Sequence, residues 1–175
     1  MSHPLKALPG MLFSSVLYND SLFNKAEFLS RWKEQYGESI EFFHSFFPMK
    51  EYYSKEMGEE SSLKRFFIFA LTSVDRQKLV DAKLWAYDFE KKFMQEDKRL
   101  INIDPGILTL EQMILSTFKS YSHRIYLDRG VFADLNYIFK DKSYQKLEWT
   151  YPDYAHPEII EAFNHMRGML QLEMN

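Results

Sequence analysis

Arg65 to Leu71 (RFFIFAL) is an almost unbroken apolar run, the pattern of a β-strand covered on both faces and lying centrally in its sheet. The residues before it supply partners. Leu12 to Tyr18 (LFSSVLY) is β-prone and is closed by Asn19 and Asp20, with Ser21 placed to cap a helix. Leu22, Ala26, Leu29, Trp32 and Tyr36 then recur at three and four residues, which predicts that helix and its stop at Gly37. Ser39 to Phe47 (SIEFFHSFF) reads as a strand with Ile40, Phe42, His44 and Phe46 on one face, ended by Pro48. The polar stretch from Pro48 to Ser62 is too long for a hairpin loop and reads as an excursion.

After the central strand, Ser73 is placed to cap a second helix, whose Leu79, Ala82, Ala86, Phe89 and Phe93 mark a buried stripe running to about Gln95. Leu100 to Ile103 predicts a fourth strand, stopped by a turn at Asp104-Pro105-Gly106. The order is βαββαβ. It predicts an α+β fold with a ferredoxin-like core, an antiparallel sheet carrying both helices on one face. Beyond it, Met113 to Phe118, Arg124 to Leu127, Val131 to Phe139 and Tyr144 to Glu148 form a β-meander that extends the sheet or folds over it. Its tight turns are expected at Asp128-Arg129-Gly130 and Lys140 to Ser143. Pro157 opens a final helix with Ile160, Phe163, Met166 and Leu170 on one side.

A chain of 175 residues with 16 Phe, 11 Tyr and 3 Trp has ample material for a core, and at this size folding buries about 70% of the extended surface. With no linker or low-complexity tract, residues 1–175 read as a single domain. The net charge of -3 provides no bulk positive field for nucleic acid or anionic membranes. Zero cysteines exclude disulfides, thiolate zinc sites, iron–sulfur clusters and Cys nucleophiles. No apolar run reaches the roughly 20 residues of a spanning helix, and Pro4, Lys6 and Pro9 interrupt any signal-peptide core. These features predict a cytoplasmic protein.

Neither a Walker phosphate loop nor a Gly-x-Gly-x-x-Gly turn occurs, the histidines show no metal-ligand spacing, and no cofactor is implied. The densest polar stretch is Lys119-Ser-Tyr-Ser-His123-Arg124. Arg124 (a bidentate fork) and Lys119 (a point charge) suit a phosphate or carboxylate, with His123 available for proton transfer. The simpler reading is of strand-end charges facing water. In a strand entered at His123, alternation would send His123 and Ile125 one way, Arg124 and Tyr126 the other. Asp104 would bring a carboxylate to a strand end, although turn chemistry alone explains it. In Trp149-Thr-Tyr-Pro-Asp153-Tyr154, rings and an acid would close a pocket or plug the core edge.

Asn102 to Leu108 (NIDPGIL), Lys119 to Leu127 (KSYSHRIYL) and Trp149 to Tyr154 (WTYPDY) together resemble a prokaryotic family catalogued as domain of unknown function 4416. Val16-Leu17-Tyr18 and the Tyr52-Tyr53-x-x-Glu56-Met57-Gly58 segment resemble it too, so the likeness runs over nearly the whole chain. It implies a short single-domain protein and carries no established reaction or ligand. Some members bear a GTP-binding label, whereas the phosphate loop and the Asn-Lys-x-Asp base-reading pattern of ordinary GTPases are both missing here. Where that family often has Tyr after Asp-Pro-Gly, this chain has Ile107.

The expectation is a polar cleft for a phosphorylated or carboxylated small molecule, nucleotides included. Lys119, Arg124 and Tyr126 would bind, Tyr151, Asp153 and Tyr154 would form a wall or lid, and Asp104 and His123 would supply acid–base groups. Hydrolysis or phosphoryl chemistry assisted by an Asp-bound divalent metal is the least strained reaction if turnover occurs. The alternative is a non-enzymatic protein–protein interaction module using surface aromatics or a sheet edge. RNA binding is disfavoured by the acidic charge and the missing RNP pattern.

Overall fold

The computed structural model describes residues 1, 3–96 and 98–175. The chain runs β1 (Met11–Asn19), α1 (Lys25–Tyr36), β2 (Ser39–Phe42), α2 (Lys50–Met57), β3 (Leu63–Ala70), α3 (Lys78–Lys92), β4 (Met94–Gln95), β5 (Lys98–Arg99) and β6 (Ile101–Leu108). It continues through β7 (Gln112–Thr117), β8 (Arg124–Asp128), β9 (Val131–Lys140), β10 (Ser143–Lys146) and α4 (Pro157–Glu173). This is a mixed α/β fold on one antiparallel sheet of eight strands, in the order β10-β9-β7-β6-β1-β3-β2 with β8 also on β9. The meander thus extends the sheet, and β4 and β5 form a separate small hairpin. No helix among the described residues is long and apolar enough to cross a membrane.

The central strands are covered on both faces because apolar residues occupy both of their alternating sets. Leu12, Val16, Phe66 and Ile68 point to α1 and α3, where Phe28, Trp32, Ala86 and Phe89 meet them. Met11, Phe13, Phe67 and Phe69 point to the opposite face, against Phe163, Met166 and Leu170 of α4. On that second face α2 covers Leu17 and Leu63 through Met57.

Several local expectations are corrected. Asn24, not Ser21, caps α1, its side chain accepting from the Ala26 N–H. The strand expected over Ser39 to Phe47 stops at Phe42, and the excursion contains α2. α3 begins at Lys78 without a side-chain cap, so Ser73 does not cap it, and it ends at Lys92 instead of running to Gln95. The largest correction concerns Asp104-Pro105-Gly106, which is no turn: β6 continues through it to Leu108. The Pro105 carbonyl accepts from Ser116 Oγ on the β7 side. In an antiparallel strand the N and C=O of one residue face the same neighbour, so the N–H that Pro105 lacks would have pointed away from β1, where it serves no β1 bond.

Gly106 is there for space. A Cβ at this position would overlap the buried Phe13 ring and lie 2.8 Å from the Ile114 carbonyl oxygen. Gly106→Ala is therefore expected to cost about 1–3 kcal/mol through overpacking, read as a lower urea midpoint with an unchanged slope. The turns expected in the meander do form. Arg129 and Gly130 have φ of 46° and 79°, and Asp141 and Lys142 have 53° and 66°, the two positive values that a type I′ hairpin requires.

Candidate functional site

β7 pairs with β6 only from Gly106 to Leu108, so the two strands diverge and one side of β6 is left without a ladder partner. Side chains of α3 fill the gap. Glu90 Oε1 accepts the Ile103 N–H at 2.6 Å, and Lys83 Nζ lies 3.5 Å from the Ile103 carbonyl oxygen. On the α4 face, this divergence opens into a cavity of about 570 Å³.

The strand register lays out the cavity floor: Ser15 opposite Asp104, and Leu17 between Asn102 and Arg65. A hydrogen-bonded chain crosses it. Arg99 donates to Glu56 at 2.6 Å and to Asn102 Oδ1 at 2.8 Å, Asn102 Nδ2 donates to Asp104 Oδ2 at 2.8 Å, and Lys83 reaches Asp104 Oδ1 at 3.3 Å. Asp104 thus has both oxygens held while its side chain stays 41% exposed. Farther in, Arg65 and Asp153 form a buried ion pair. Rings of Phe47, Phe67 and Tyr154 surround the guanidinium carbon at 5.0, 4.3 and 5.6 Å. Arg65 Nη2 and the Tyr154 hydroxyl are buried without a hydrogen-bond partner, a costly state for polar atoms.

A third cluster centres on Asp134, which is 2% exposed. It receives Arg124 Nε at 2.8 Å and Asn136 Nδ2 at 3.2 Å, with His123 Nε2 at 3.4 Å. Arg124 Nη2 also donates to the Tyr151 hydroxyl at 3.1 Å. At the mouth, Lys91 lies 4.9 Å from the Tyr87 ring, and Tyr87 packs edge-on against Phe118 at 5.4 Å. Lys91 and Lys119 are exposed and make no ion pair among the described residues.

Burial raises the hydroxyl pKa values of Tyr53, Tyr151 and Tyr154, and the charge of Asp104 adds to the rise in all three. Burial likewise pushes the Glu90 carboxyl up to about 7, partly offset by Lys83. A carboxyl with a raised native pKa contributes stability below its unfolded value of about 4.3, and that contribution is lost as pH rises toward 7. Glu90→Gln keeps an acceptor for the Ile103 N–H and removes the titration. Its unfolding free energy is expected to fall less than that of the parent between pH 4.5 and pH 8, by up to about 3 kcal/mol, measured by urea unfolding across that range.

Of the residues singled out in the sequence, Asp104, Lys119, Tyr151, Asp153 and Tyr154 all line the cavity. Arg124 and His123 stand behind its wall, converging on Asp134. Strand alternation does not separate them because β8 begins at Arg124, leaving His123 in the preceding turn. His123 stacks on Trp149 at 4.7 Å. Tyr126 is 58% exposed, packs on Phe132 at 5.4 Å, and lies outside the lining. No group of three His, Cys, Asp or Glu among the described residues could hold a metal ion. Lys83, Tyr87, Glu90 and Lys91, which did not stand out in the sequence, also line the cavity. Their spacing of four, three and one along α3 was the available signal, a polar stripe beside the apolar one.

A family model described as Domain of unknown function (DUF4416) matches residues 9–169. The chain belongs to this family. All the cavity residues, from Ser15 to Tyr154, fall within the DUF4416 match. No curated protein and no solved structure matches the chain.

Proposed function

We propose that this DUF4416 protein binds a phosphorylated or carboxylated small molecule in the cavity between α2, α3 and the segment leading into α4. The observation that carries the reading is the charge balance of the lining. The cations Arg65 and Lys83 are matched within the lining by Asp153 and Asp104, Arg99 is matched by Glu56 just outside it and by Glu90, and Asp134 is matched by Arg124, whereas Lys91 and Lys119 make no ion pair among the described residues and stand as positive charge at the mouth. An anion is the counterpart such a site lacks. Its volume and aromatic walls suit a drug-sized or nucleotide-sized molecule.

The test is a thermal-shift panel of nucleotides, phosphorylated metabolites and carboxylates. A true ligand at a hundredfold excess over Kd adds about 2.7 kcal/mol, and Lys119→Glu is expected to abolish that shift while leaving the free protein's stability within about 0.5 kcal/mol. No stabilisation by any member of the panel would overturn the reading.

The scaffold that presents this site is best described as a ferredoxin-like core with a meander added to one edge. The sub-order β6-β1-β3-β2, antiparallel throughout, supports that description, as does the shared packing of α1 and α3. The lack of cysteine fits a cytoplasmic setting.

A second reading, a protein–protein interaction module, draws on Tyr121, Ile125 and Tyr126 around β8, which are 66%, 70% and 58% exposed. Self-association or partner capture that Ile125→Lys removes, without any effect of Lys119→Glu, would favour it.

A further inference from the structure

Resting on the anion-binding reading, the distribution of matched and unmatched charge also gives the ligand a direction. Charges in the inner part of the cavity already have partners: Arg65 has Asp153, and Asp104 has Lys83. A ligand charge pushed there would lose its water and meet an already neutralised pair, which repays little of the desolvation cost. Neutral hydrogen-bonding groups fare better. Asp104 keeps accepting capacity, since its two held oxygens offer about four lone-pair sites, and its side chain faces open space. Arg65 Nη2 and the Tyr154 hydroxyl lie buried behind the cavity wall without a partner among the described residues, so Asp104 is the polar group that the open interior presents. The inner cavity therefore wants a neutral group presenting N–H or O–H to Asp104. Its surfaces are also flat and aromatic, with Phe47, Tyr53, Tyr151 and Tyr154 in the wall. Full negative charge belongs at the mouth, with Lys91 and Lys119.

We propose that the ligand is a nucleoside phosphate that enters base first, with its base among the tyrosines against Asp104 and its phosphate between Lys91 and Lys119. A heterocyclic base is a flat neutral ring with donors and acceptors along one edge, and stacking on tyrosine suits any base. A bare sugar phosphate satisfies the mouth and leaves the aromatic interior unused. Asp104 is the specificity-determining group in this arrangement, and Lys119 supplies affinity common to all phosphates.

Isothermal titration of the full chain with the four ribonucleoside 5′-monophosphates and ribose 5-phosphate tests the direction. At least one nucleotide is expected to bind about tenfold or more tighter than ribose 5-phosphate. Asp104→Asn is expected to erase that advantage while tightening ribose 5-phosphate, because Lys83 loses its counter-charge. Lys119→Gln, on an exposed side chain, is expected to weaken nucleotide and sugar phosphate by the same factor. If ribose 5-phosphate binds as tightly as every nucleotide, and Lys119→Gln weakens them all, the base-inward direction is wrong and anion binding stands. If Asp104→Asn weakens both probes equally, the direction is also wrong. If neither nucleotide nor ribose 5-phosphate binds, this proposal and the anion reading fall together.

Discussion

Asp153→Ala is expected to lower the unfolding free energy by about 3–5 kcal/mol, among the largest single effects in this protein. The Arg65 and Asp153 side chains are 4% and 7% exposed. Loss of the carboxylate would leave a guanidinium buried among Phe47, Phe67 and Tyr154, and arginine cannot escape the penalty by shedding a proton. The diagnostic comparison is the double substitution Arg65→Met with Asp153→Leu. Removing both charges should recover most of the loss, since well-packed apolar side chains often replace a buried pair at little cost. Urea unfolding of the two single variants and the double gives the coupling directly. Additive losses would mean that the ion pair is not what holds the α4 lead-in to β3.

Phe163→Ala is expected to cost a similar amount, about 3–5 kcal/mol, by a different route. Phe163 is fully buried and is the ring on which α4 seats against the sheet. It meets Phe13 at 4.9 Å, Phe69 at 5.2 Å, and both Phe67 and Tyr137 at 5.6 Å, mostly edge-to-face. Truncation removes those contacts and leaves a void that four rigid rings cannot collapse to fill. Denaturant unfolding should show the full loss. A cost below about 2 kcal/mol would indicate that α4 shifts to refill the space.

Elements set by local pattern and turn chemistry were largely readable, although the alternation over Ser39 to Phe47 overran β2, which stops at Phe42. The stripe from Leu79 to Phe89 lies in α3, the β-prone run from Leu12 to Tyr18 lies in β1, and Asp128-Arg129-Gly130 makes the predicted hairpin. Long-range pairing could not be read. Asp104-Pro105-Gly106 has the composition of a turn, yet β1 pairs with all three residues, and a registered neighbour outweighs local turn preference. The candidate site divides in the same way. Asp104 and Lys119 stood out as polar groups beside strand ends and Asp153 as the acid of an aromatic stretch ahead of the last helix, and all three line the cavity. Glu90 and Lys83 were hidden because a polar residue next to an apolar helical stripe looks like ordinary solvent-facing surface. Only the absence of a strand beside Ile103 turns them inward.

The residue at 105 bears on how such a protein could change over time. Because the ring nitrogen has no hydrogen to offer, the main chain of β6 can make only half of its ladder bonds to β7 at that point, through the Pro105 carbonyl. The gap beside β6 is thus written partly into the backbone at Pro105, and side-chain replacements around its rim would leave that position without a donor for β7.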